Sequence, residues 1–380
     1  MNILIFSTAY PAPKKYGVPN DTKVVHYYAQ QWTKAGHTVH VIYLHMNPIK
    51  HIYKHGNIFK SMGYESDYTI EGIPVHFIEY QLIKPRANYL SDKQAANANE
   101  RINRYLDNIF VPDKVFVHFP CTFKGIECVT KFNCPTMAVL HNVDMSILKQ
   151  FPELQDQLRN YSNIGGRNRK ICDVAQELLS RNISLVLSGI DESLIPSHEI
   201  ITNKINRIHD HIKIAYAGNL IKLKKVDVLI KALNNVGFDY QCEIIGDGPE
   251  KEKLIACAKG NPKISFRGRL TREETIEAMR AADLFVMVSS PETFGLVYVE
   301  AMAQGCVTVG SKGEGIDGVI VNGENGFLVA PDHETELAQC LEYIVAMKAD
   351  ERAKIAFAGY DNATNMTESR MAKNYLQLNI

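Results

Sequence analysis

Residues 283–305 form the stretch of sequence that most restricts how this chain can fold. Residues 284–288 are apolar and β-rich, which is typical of an interior strand in a parallel sheet. A Ser-Ser-Pro tripeptide ends this run, and a helix is predicted from Gly295 to Gly305, because glycine is common just past a helix end. Glu292 lies in the turn and Glu300 in the helix, eight positions apart. A strand, a turn and a helix in this order predict an α/β fold.

The turn before this helix has the chemistry of an anion site. The backbone amides of Phe294, Gly295 and Leu296 lie at the helix N-terminus, and Gly295 lets a phosphate come close to the backbone. Carboxylates such as Glu292 and Glu300 accept hydrogen bonds from sugar hydroxyls, whereas amides donate to phosphate. The segment therefore predicts a ligand with a polyhydroxyl ring, a diphosphate and a ribose.

Composition restricts the class of protein further. The chain has 380 residues, with 42 basic and 42 acidic side chains, so no overall field draws it to nucleic acid or anionic lipid. Its eight cysteines form no Cys-x-x-Cys pair, which favours free thiols in a reducing compartment over a zinc site or disulfides. The sequence shows neither a signal peptide nor an apolar run of 18 residues. We therefore expect a cytoplasmic protein whose contact with a membrane, if it has one, is local.

Strands and helices alternate in each half of the chain, which predicts two parallel sheets covered by helices. The predicted strands are residues 2–7, 37–44, 74–78, 114–118, 136–140 and 186–189 in the first half, and 213–217, 241–245, 263–266, 284–288 and 307–310 in the second. The polar stretch 191–210 between the halves is the predicted linker. Two domains are therefore predicted, at residues 1–190 and 211–365. Ligands of such sheets bind beyond the carboxyl ends of the strands.

The Glu-x7-Glu pattern of Glu292 and Glu300 resembles the signature of the retaining family-4 glycosyltransferases (glycosyl transferases group 1). Segments 246–250, 266–270 and 323–329 match in the same order. The resemblance implies a GT-B fold, in which two Rossmann-like doubly wound domains face a cleft. It also implies that residues 366–380 pack back onto the first domain. In such an enzyme Glu292 contacts the transferred sugar and Glu300 holds the ribose of the nucleotide.

The loop after the first strand of the second half departs from this family. The family's Gly-Arg-Leu reads Gly-Asn-Leu here, so Asn219 stands where an arginine is expected, and Lys225 stands where a glycine is expected. Lys224 keeps the position of the family lysine that neutralises the donor diphosphate. An arginine fork makes charged, bidentate phosphate contacts, whereas asparagine makes neutral ones. Either Lys222 or Lys225 supplies the missing charge, or donor binding is weak, or activity is lost.

The resemblance assigns roles to four further residues. It implies that the backbone of Arg269 and Leu270 faces the nucleobase, and that His141 lines the reaction centre, where a histidine can donate to a sugar hydroxyl. Gly17 remains from a Gly-Gly pair whose backbone approaches the donor phosphate. The sequence Gly-Asp-Gly-Pro at 246–249 is compatible with a phosphate loop and with a purely structural turn.

The region 48–64 is open to two interpretations. Its apolar side chains fall near one helical face, which is compatible with a helix packed on its own domain or with one lying on a membrane surface. His51 and His55 have the spacing of a helical metal pair, but no third ligand follows at a useful spacing, so we predict no metal there.

From these features we expect a glycosyltransferase that moves a hexose-type sugar from a nucleoside diphosphate sugar to a hydroxyl of a glycan or lipid-linked acceptor, with retention. A role in cell-surface polysaccharide synthesis, without a cofactor or a metal, is expected. The partners are the donor and the acceptor, with a possible peripheral membrane contact and no nucleic acid. The alternatives are a GT-B nucleotide-sugar epimerase and a non-catalytic nucleotide-sugar-binding protein. A dehydrogenase is disfavoured, because the first strand is not followed by Gly-x-Gly-x-x-Gly.

Overall fold

The computed structural model describes residues 1–18, 23–47, 63–82, 88–206 and 211–378. The chain divides into two compact units. The first unit consists of Met1–Arg167, Ile171–Leu187 and Met371–Ile380, and the second consists of Asn168–Lys170 and Ser188–Arg370. Each unit is built around its own sheet.

The sheet of the first unit contains eight strands in the described residues, in the order β3-β4-β2-β1-β5-β6-β7-β8. The strands are β1 (Asn2–Ser7), β2 (Thr38–Asn47), β3 (Tyr64–Ile70), β4 (Ile73–Gln81), β5 (Lys114–His118), β6 (Thr136–Leu140), β7 (Asn163–Gly166) and β8 (Ser184–Leu185). Its helices are α1 (Val24–Lys34), α2 (Asp92–Leu106), α3 (Asn142–Gln150), α4 (Leu154–Arg159) and α5 (Arg169–Leu179). The central strands are fully buried on both faces, which explains why they are continuous apolar runs in the sequence.

One edge of this sheet differs from the sequence prediction. Strands β3 and β4 form an antiparallel hairpin, so the predicted purely parallel sheet is mixed at this edge. Glu71 and Gly72 connect them, and both have positive φ values, of 49° and 82°. Such a turn suits the twist of a two-residue hairpin. An antiparallel edge strand on an otherwise parallel sheet is common in this fold class.

The sheet of the second unit has the order β11-β10-β9-β12-β13-β14 in the described residues, and all its neighbouring pairs are parallel. The strands are β9 (Ile212–Ala217), β10 (Tyr240–Ile245), β11 (Ile264–Gly268), β12 (Leu284–Val286), β13 (Val307–Ser311) and β14 (Phe327–Val329). The helices are α6 (His198–Ile205), α7 (Val226–Leu233), α8 (Lys251–Cys257), α9 (Arg272–Ala281), α10 (Leu296–Ala303), α11 (Glu334–Ala346), α12 (Ala349–Thr364) and α13 (Glu368–Leu378). The strand order reverses between β9 and β12, and such a switch point is where doubly wound sheets bind ligands.

Two segments near the boundaries of the units have defined places. The described part of the predicted linker, residues 191–206, is not an extended connection, because it contains α6, whose Ile201 and Lys204 are buried in the second unit. The end of α13 belongs to the first unit, where the indole nitrogen of Trp32 donates to the carbonyl of Ala372 at 2.8 Å. Tyr375 packs there at 4.8 Å, centroid to centroid, from Phe116.

Candidate functional site

A cavity of about 410 Å³ lies in the second unit at the carboxyl ends of its strands. Its walls are the loops that follow β9, β10 and β11 and the first turn of α10. Six residues predicted from the sequence line it together: Asn219, Lys224, Arg269, Leu270, Gly295 and Leu296. The cavity therefore occupies the switch point of the sheet, where the topology predicts a ligand.

Glycines allow two of these loops to pack backbone to backbone. A Cβ on Gly246 would lie 1.9 Å from the carbonyl oxygen of Gly218, and one on Gly248 would lie 2.4 Å from that of Leu220. The amide of Leu220 also donates to the carbonyl of Asp247 at 3.0 Å. Of the two interpretations of 246–249, the contacts favour the structural turn, which fixes the position of the loop that carries Asn219.

The three lysines after β9 have different surroundings. Lys224 lines the cavity, and its Nζ lies 2.5 Å from Oε2 of Glu292. Lys222 is exposed to solvent. Lys225 pairs with Asp332 at 2.6 Å and adopts a left-handed backbone with φ of 49°, which explains why glycine is expected at this position. Of these three lysines, Lys224 is the one that lines the cavity.

Glu292 lies in the turn between β12 and α10, and it is 14 % exposed. Its Oε2 accepts hydrogen bonds from Lys224 and, at 3.0 Å, from the hydroxyl of Ser289. Its Oε1 accepts from the amide of Thr293 at 3.2 Å. The carboxylate is thus fixed beside the cation that lines the cavity.

The N-terminus of α10 provides backbone donors at the same place. Gly295 is the residue before the helix and has φ of 78°, and a Cβ there would lie 2.6 Å from the ring of Tyr298. Phe294 has a buried side chain and is not among the residues that line the cavity, so the contact of its backbone amide with a phosphate stays a prediction. The amides of a first helical turn have no acceptor within the helix, and α10 carries no acidic residue in that turn. An anion at this end is stabilised by the helix dipole.

Glu300 lies in α10 and is already paired. Its Oε1 accepts a hydrogen bond from a guanidinium nitrogen of Arg272 at 2.9 Å, and its side chain is 16 % exposed. Arg272 begins α9, directly after the loop that carries Arg269 and Leu270. A ribose that binds Glu300 therefore shares the carboxylate with Arg272.

Two buried tyrosines donate hydrogen bonds to the backbone near the cavity, one at the end of β12 and one in the loop after β9. The hydroxyl of Tyr298 donates to the carbonyl of Met287 at 2.7 Å, and that of Tyr216 donates to the carbonyl of Asn219 at 3.3 Å. Burial raises the pKa of both phenols, and for Tyr216 the nearby Tyr298 and Glu292 raise that pKa further. Both rings therefore act as neutral donors.

His141 and Gly17 belong to the first unit, apart from the residues described so far. The imidazole of His141 is 8 % exposed, stacks on Phe119 at 3.7 Å between ring centroids, and has Nε2 3.3 Å from Nδ1 of His118. Burial, followed by the charges of His118 and Arg167, lowers the pKa of His141 well below its ordinary value, so the ring is neutral. Its place at the reaction centre stays a prediction.

The cluster around His141 includes a carboxyl group that the sequence did not single out. Asp144 is fully buried and accepts from the amides of His141, at 2.7 Å, and Cys121, at 2.9 Å. Burial outweighs these bonds and raises the pKa of Asp144 to about 7. Gly17 follows a single 3₁₀ turn, and its own φ of 66° favours glycine. A Cβ at this position would meet no atom within 4 Å, so close packing is not the reason for glycine.

Metal and membrane features can be assessed in the described residues. Among these residues there is no group of three or more His, Cys, Asp or Glu side chains that could hold a metal ion. In the same residues no helix is both long and apolar enough to cross a bilayer. His51, His55 and the rest of 48–62 lie outside the described residues, so the two interpretations of that region stay predictions.

Comparisons with known proteins bear on both units. Residues 197–362 match the family described as Glycosyl transferases group 1. Over 215 residues the chain is 26 % identical to N-acetyl-alpha-D-glucosaminyl L-malate synthase of Bacillus anthracis, a match that covers 53 % of this chain and 56 % of that protein. It is 24 % identical over 325 residues to the putative teichuronic acid biosynthesis glycosyltransferase TuaC of Bacillus subtilis, which covers 80 % and 79 % of the two chains.

The solved structure of Anabaena Alr3699/HepE in complex with UDP and glucose superposes with a TM-score of 0.64 at 18 % identity. This likeness covers 99 % of this chain and 98 % of that one. The fold is therefore GT-B, with two Rossmann-like α/β units, as the sequence predicted. The cavity lies within residues 197–362, the part of the chain that matches Glycosyl transferases group 1.

Proposed function

We propose that this protein is a retaining glycosyltransferase that moves a hexose-type sugar from a nucleoside diphosphate sugar to a hydroxyl group of a glycan or lipid-linked acceptor. The observation that carries the proposal is the cavity at the switch point of the second unit. There, Lys224 and the first turn of α10 line the cavity, and Glu292 is paired with Lys224, all inside the part of the chain that matches Glycosyl transferases group 1. Cation, carboxylate and helix amides are the groups that a sugar diphosphate needs.

We propose a place for each part of the donor from the chemical groups that surround the cavity. Lys224 and the amides of Phe294, Gly295 and Leu296 receive the diphosphate, because both kinds of group favour negative charge. Glu300 accepts hydrogen bonds from the ribose hydroxyls and shares its carboxylate with Arg272. The loop of Arg269 and Leu270 lies on the same cavity, and we propose that its backbone faces the nucleobase.

In the reaction, the bond between the anomeric carbon and the diphosphate oxygen breaks, and its electron pair stays on the diphosphate. The acceptor oxygen bonds to the same face of the carbon, and its proton leaves with the nucleoside diphosphate. Lys224 and the helix amides stabilise the charge that grows on the leaving group. Glu292 orients the sugar, and His141, as a neutral imidazole, is proposed to donate to a sugar hydroxyl. Since these groups supply the stabilisation, we expect turnover without added metal.

The setting is inferred from the names of relatives. TuaC of Bacillus subtilis is described as a putative enzyme of teichuronic acid biosynthesis. By analogy, we propose a role in cell-surface polysaccharide synthesis, at the cytoplasmic face of the membrane if the acceptor is lipid-linked.

A non-catalytic nucleotide-sugar-binding protein is a second candidate, and the surroundings of Asn219 favour it. Asn219 lines the cavity where the family has an arginine, Lys222 is exposed, and Lys225 is paired with Asp332. The cavity then has less charge for a diphosphate than in the family, which lowers the stabilisation of the leaving group.

The test is to incubate the protein with UDP-, GDP-, ADP- and TDP-hexoses, with and without a panel of glycan and lipid-linked acceptors. We expect acceptor-dependent release of one nucleoside diphosphate, and proton NMR should show the product with the anomeric configuration of the donor. Binding without turnover across the panel would support the non-catalytic candidate. Formation of an epimeric sugar without acceptor would support an epimerase. A product of opposite configuration would contradict retention.

A further inference from the structure

A buried carboxylate that does not line the cavity holds the turn that carries Glu292. We propose that Glu314 is a positioning residue for Glu292, and this inference rests on the proposed function. Glu314 lies in the loop after β13, and its side chain is 8 % exposed. Charged side chains are rarely buried unless they are paired and hydrogen-bonded, so its partners define its role.

Each carboxylate oxygen of Glu314 accepts a hydrogen bond from a different residue of the turn. Oε2 accepts a hydrogen bond from the backbone amide of Glu292 at 2.9 Å. Oε1 accepts from the hydroxyl of Ser290 at 2.9 Å and lies 3.3 Å from Nζ of Lys170. These two contacts, at positions 290 and 292, lie on either side of Pro291 and fix the direction in which the chain leaves β12.

The residue after Glu314 holds the opposite side of the same peptide. The amide of Gly315 donates to the carbonyl of Glu292 at 3.1 Å. A Cβ on Gly315 would lie 2.5 Å from the backbone nitrogen of Phe294, so the two chains are in direct backbone contact. The amide and the carbonyl of Glu292 are thus both bound by neighbouring residues of one loop.

The charges are arranged so that the two carboxylates do not compete for one cation. Glu314 has Lys170 on its outer side, and Glu292 has Lys224 on the cavity side. A carboxylate only accepts hydrogen bonds, so Glu314 can satisfy the amide and the hydroxyl at once. A glutamine has one accepting oxygen and can keep only one of these bonds without rearrangement.

The position of Glu314 predicts an effect on the sugar rather than on the nucleotide. The backbone of Lys224 and Asn219 is held by contacts of the loops after β9 and β10, and by the amide of Ser290, which donates to the carbonyl of Leu223 at 2.8 Å. None of these backbone bonds uses the carboxylate of Glu314. Loss of Glu314 frees the peptide of Glu292 and lets its carboxylate move from its place beside the sugar. A displacement on the order of 1 Å can lower turnover about 100-fold, although no group that touches the substrate has changed.

The experiment compares Glu314→Gln, Glu314→Ala and the control Glu342→Ala in the full chain. Glu342 is an exposed glutamate of the second unit that also accepts from a backbone amide, that of Gly237 at 3.2 Å. Hydrogen exchange is measured on peptides that cover residues 289–297, without ligand. Calorimetry then gives the affinity for UDP, and UDP release from UDP-glucose gives kcat and KM.

We expect faster exchange in 289–297 for Glu314→Ala, an intermediate rate for Glu314→Gln, and the wild-type rate for Glu342→Ala. We expect kcat to fall about 10- to 100-fold in Glu314→Ala and less in Glu314→Gln, while the affinity for UDP stays within about twofold. If Glu314→Ala does not fold, the test rests on Glu314→Gln, which should show faster exchange in 289–297 and a lower kcat than the wild type.

Two results would overturn the proposal: unchanged exchange in 289–297, or an equal loss of UDP affinity and kcat, which a general structural role would produce. Failure of the proposed function gives a different pattern. In that case the wild type binds none of UDP, GDP, ADP and TDP or their hexoses, and the exchange rates alone decide whether Glu314 positions the turn. If a nucleotide other than UDP binds, calorimetry and turnover are measured with that one.

Discussion

Replacing Glu292 by glutamine should tighten the binding of a free nucleoside diphosphate while it lowers turnover. Nζ of Lys224 lies 2.5 Å from Oε2 of Glu292, so this carboxylate neutralises the positive charge that we propose for the phosphate. A bound diphosphate has to share Lys224 with Glu292 and is also repelled by that carboxylate. Glutamine keeps the size of the side chain and removes both effects.

The magnitude follows from the distance and the exposure of the pair. At an effective dielectric constant of about 20, two charges about 4 Å apart interact by about 4 kcal/mol before desolvation is counted. The two side chains are 22 % and 14 % exposed, so solvent screens part of this interaction. After that discount about 1–2 kcal/mol remains, which corresponds to an affinity about 5- to 30-fold tighter.

Calorimetry with UDP, GDP, ADP and TDP is the assay, at low and high salt, because the effect should shrink as salt screens the pair. Glu300→Gln is the matched control, since it removes the same charge from the same segment but should weaken binding. Turnover of a nucleotide sugar should fall in Glu292→Gln, because the sugar loses its charged acceptor. Equal or weaker diphosphate binding by Glu292→Gln would refute the reasoning.

Three further predictions concern the nucleotide site and the first unit. Glu300→Ala should weaken nucleoside diphosphate binding by about 1–3 kcal/mol without unfolding the protein, as measured by calorimetry and circular dichroism; unchanged affinity would remove Glu300 from the site. Asn219→Arg should tighten donor binding by about 1 kcal/mol or more, by supplying the missing fork; an unchanged dissociation constant would mean that the loop does not contact the diphosphate. The first unit should lose stability as the pH falls below about 6.5, because burial lowers the pKa of His118 to about 3 and that of His141 well below its ordinary value. The unfolded chain then binds more protons, and each histidine contributes a slope of about 1.4 kcal/mol per pH unit. Asp144, with its pKa raised to about 7, is stabilising when protonated and acts in the opposite direction between about pH 4 and 7, so the net slope of the three groups is about 1.4 kcal/mol per pH unit. Urea unfolding at several pH values should show a shallower slope in His118→Gln, and an identical slope would show that His118 titrates normally.

The parallel parts of the fold could be predicted from sequence for a simple reason. Strands buried on both faces, such as β1 and β12, are continuous apolar runs whatever their neighbours are. Strand β3 was missed because it lies at an edge, and its side chains are partly exposed along its whole length. Helix α6, within 191–206, was not predicted, because the burial of Ile201 and Lys204 depends on contacts distant in sequence.

The site was predicted in part, for the same kind of reason. The turn and helix that carry Glu292 and Glu300 are local, so a single segment predicts them. Lys224 and Glu292 are 68 positions apart, and they meet because β9 and β12 are neighbours in the sheet. The pairing of Arg272 with Glu300 and the contact of Glu314 with the turn likewise depend on strand order. The sequence gives no signal for that order without the fold.

A thermal-shift titration with nucleoside diphosphates tests most directly whether the cavity of the second unit binds a diphosphate. A ligand that binds the folded state stabilises it, by about 2.7 kcal/mol when its concentration is about 100 times the dissociation constant. The melting temperature therefore rises with the ligand concentration. We predict a concentration-dependent rise with one nucleoside diphosphate, a smaller rise with the matching monophosphate, and loss of the difference in Lys224→Ala. No shift with any nucleotide, or the same shift in Lys224→Ala, would contradict the account.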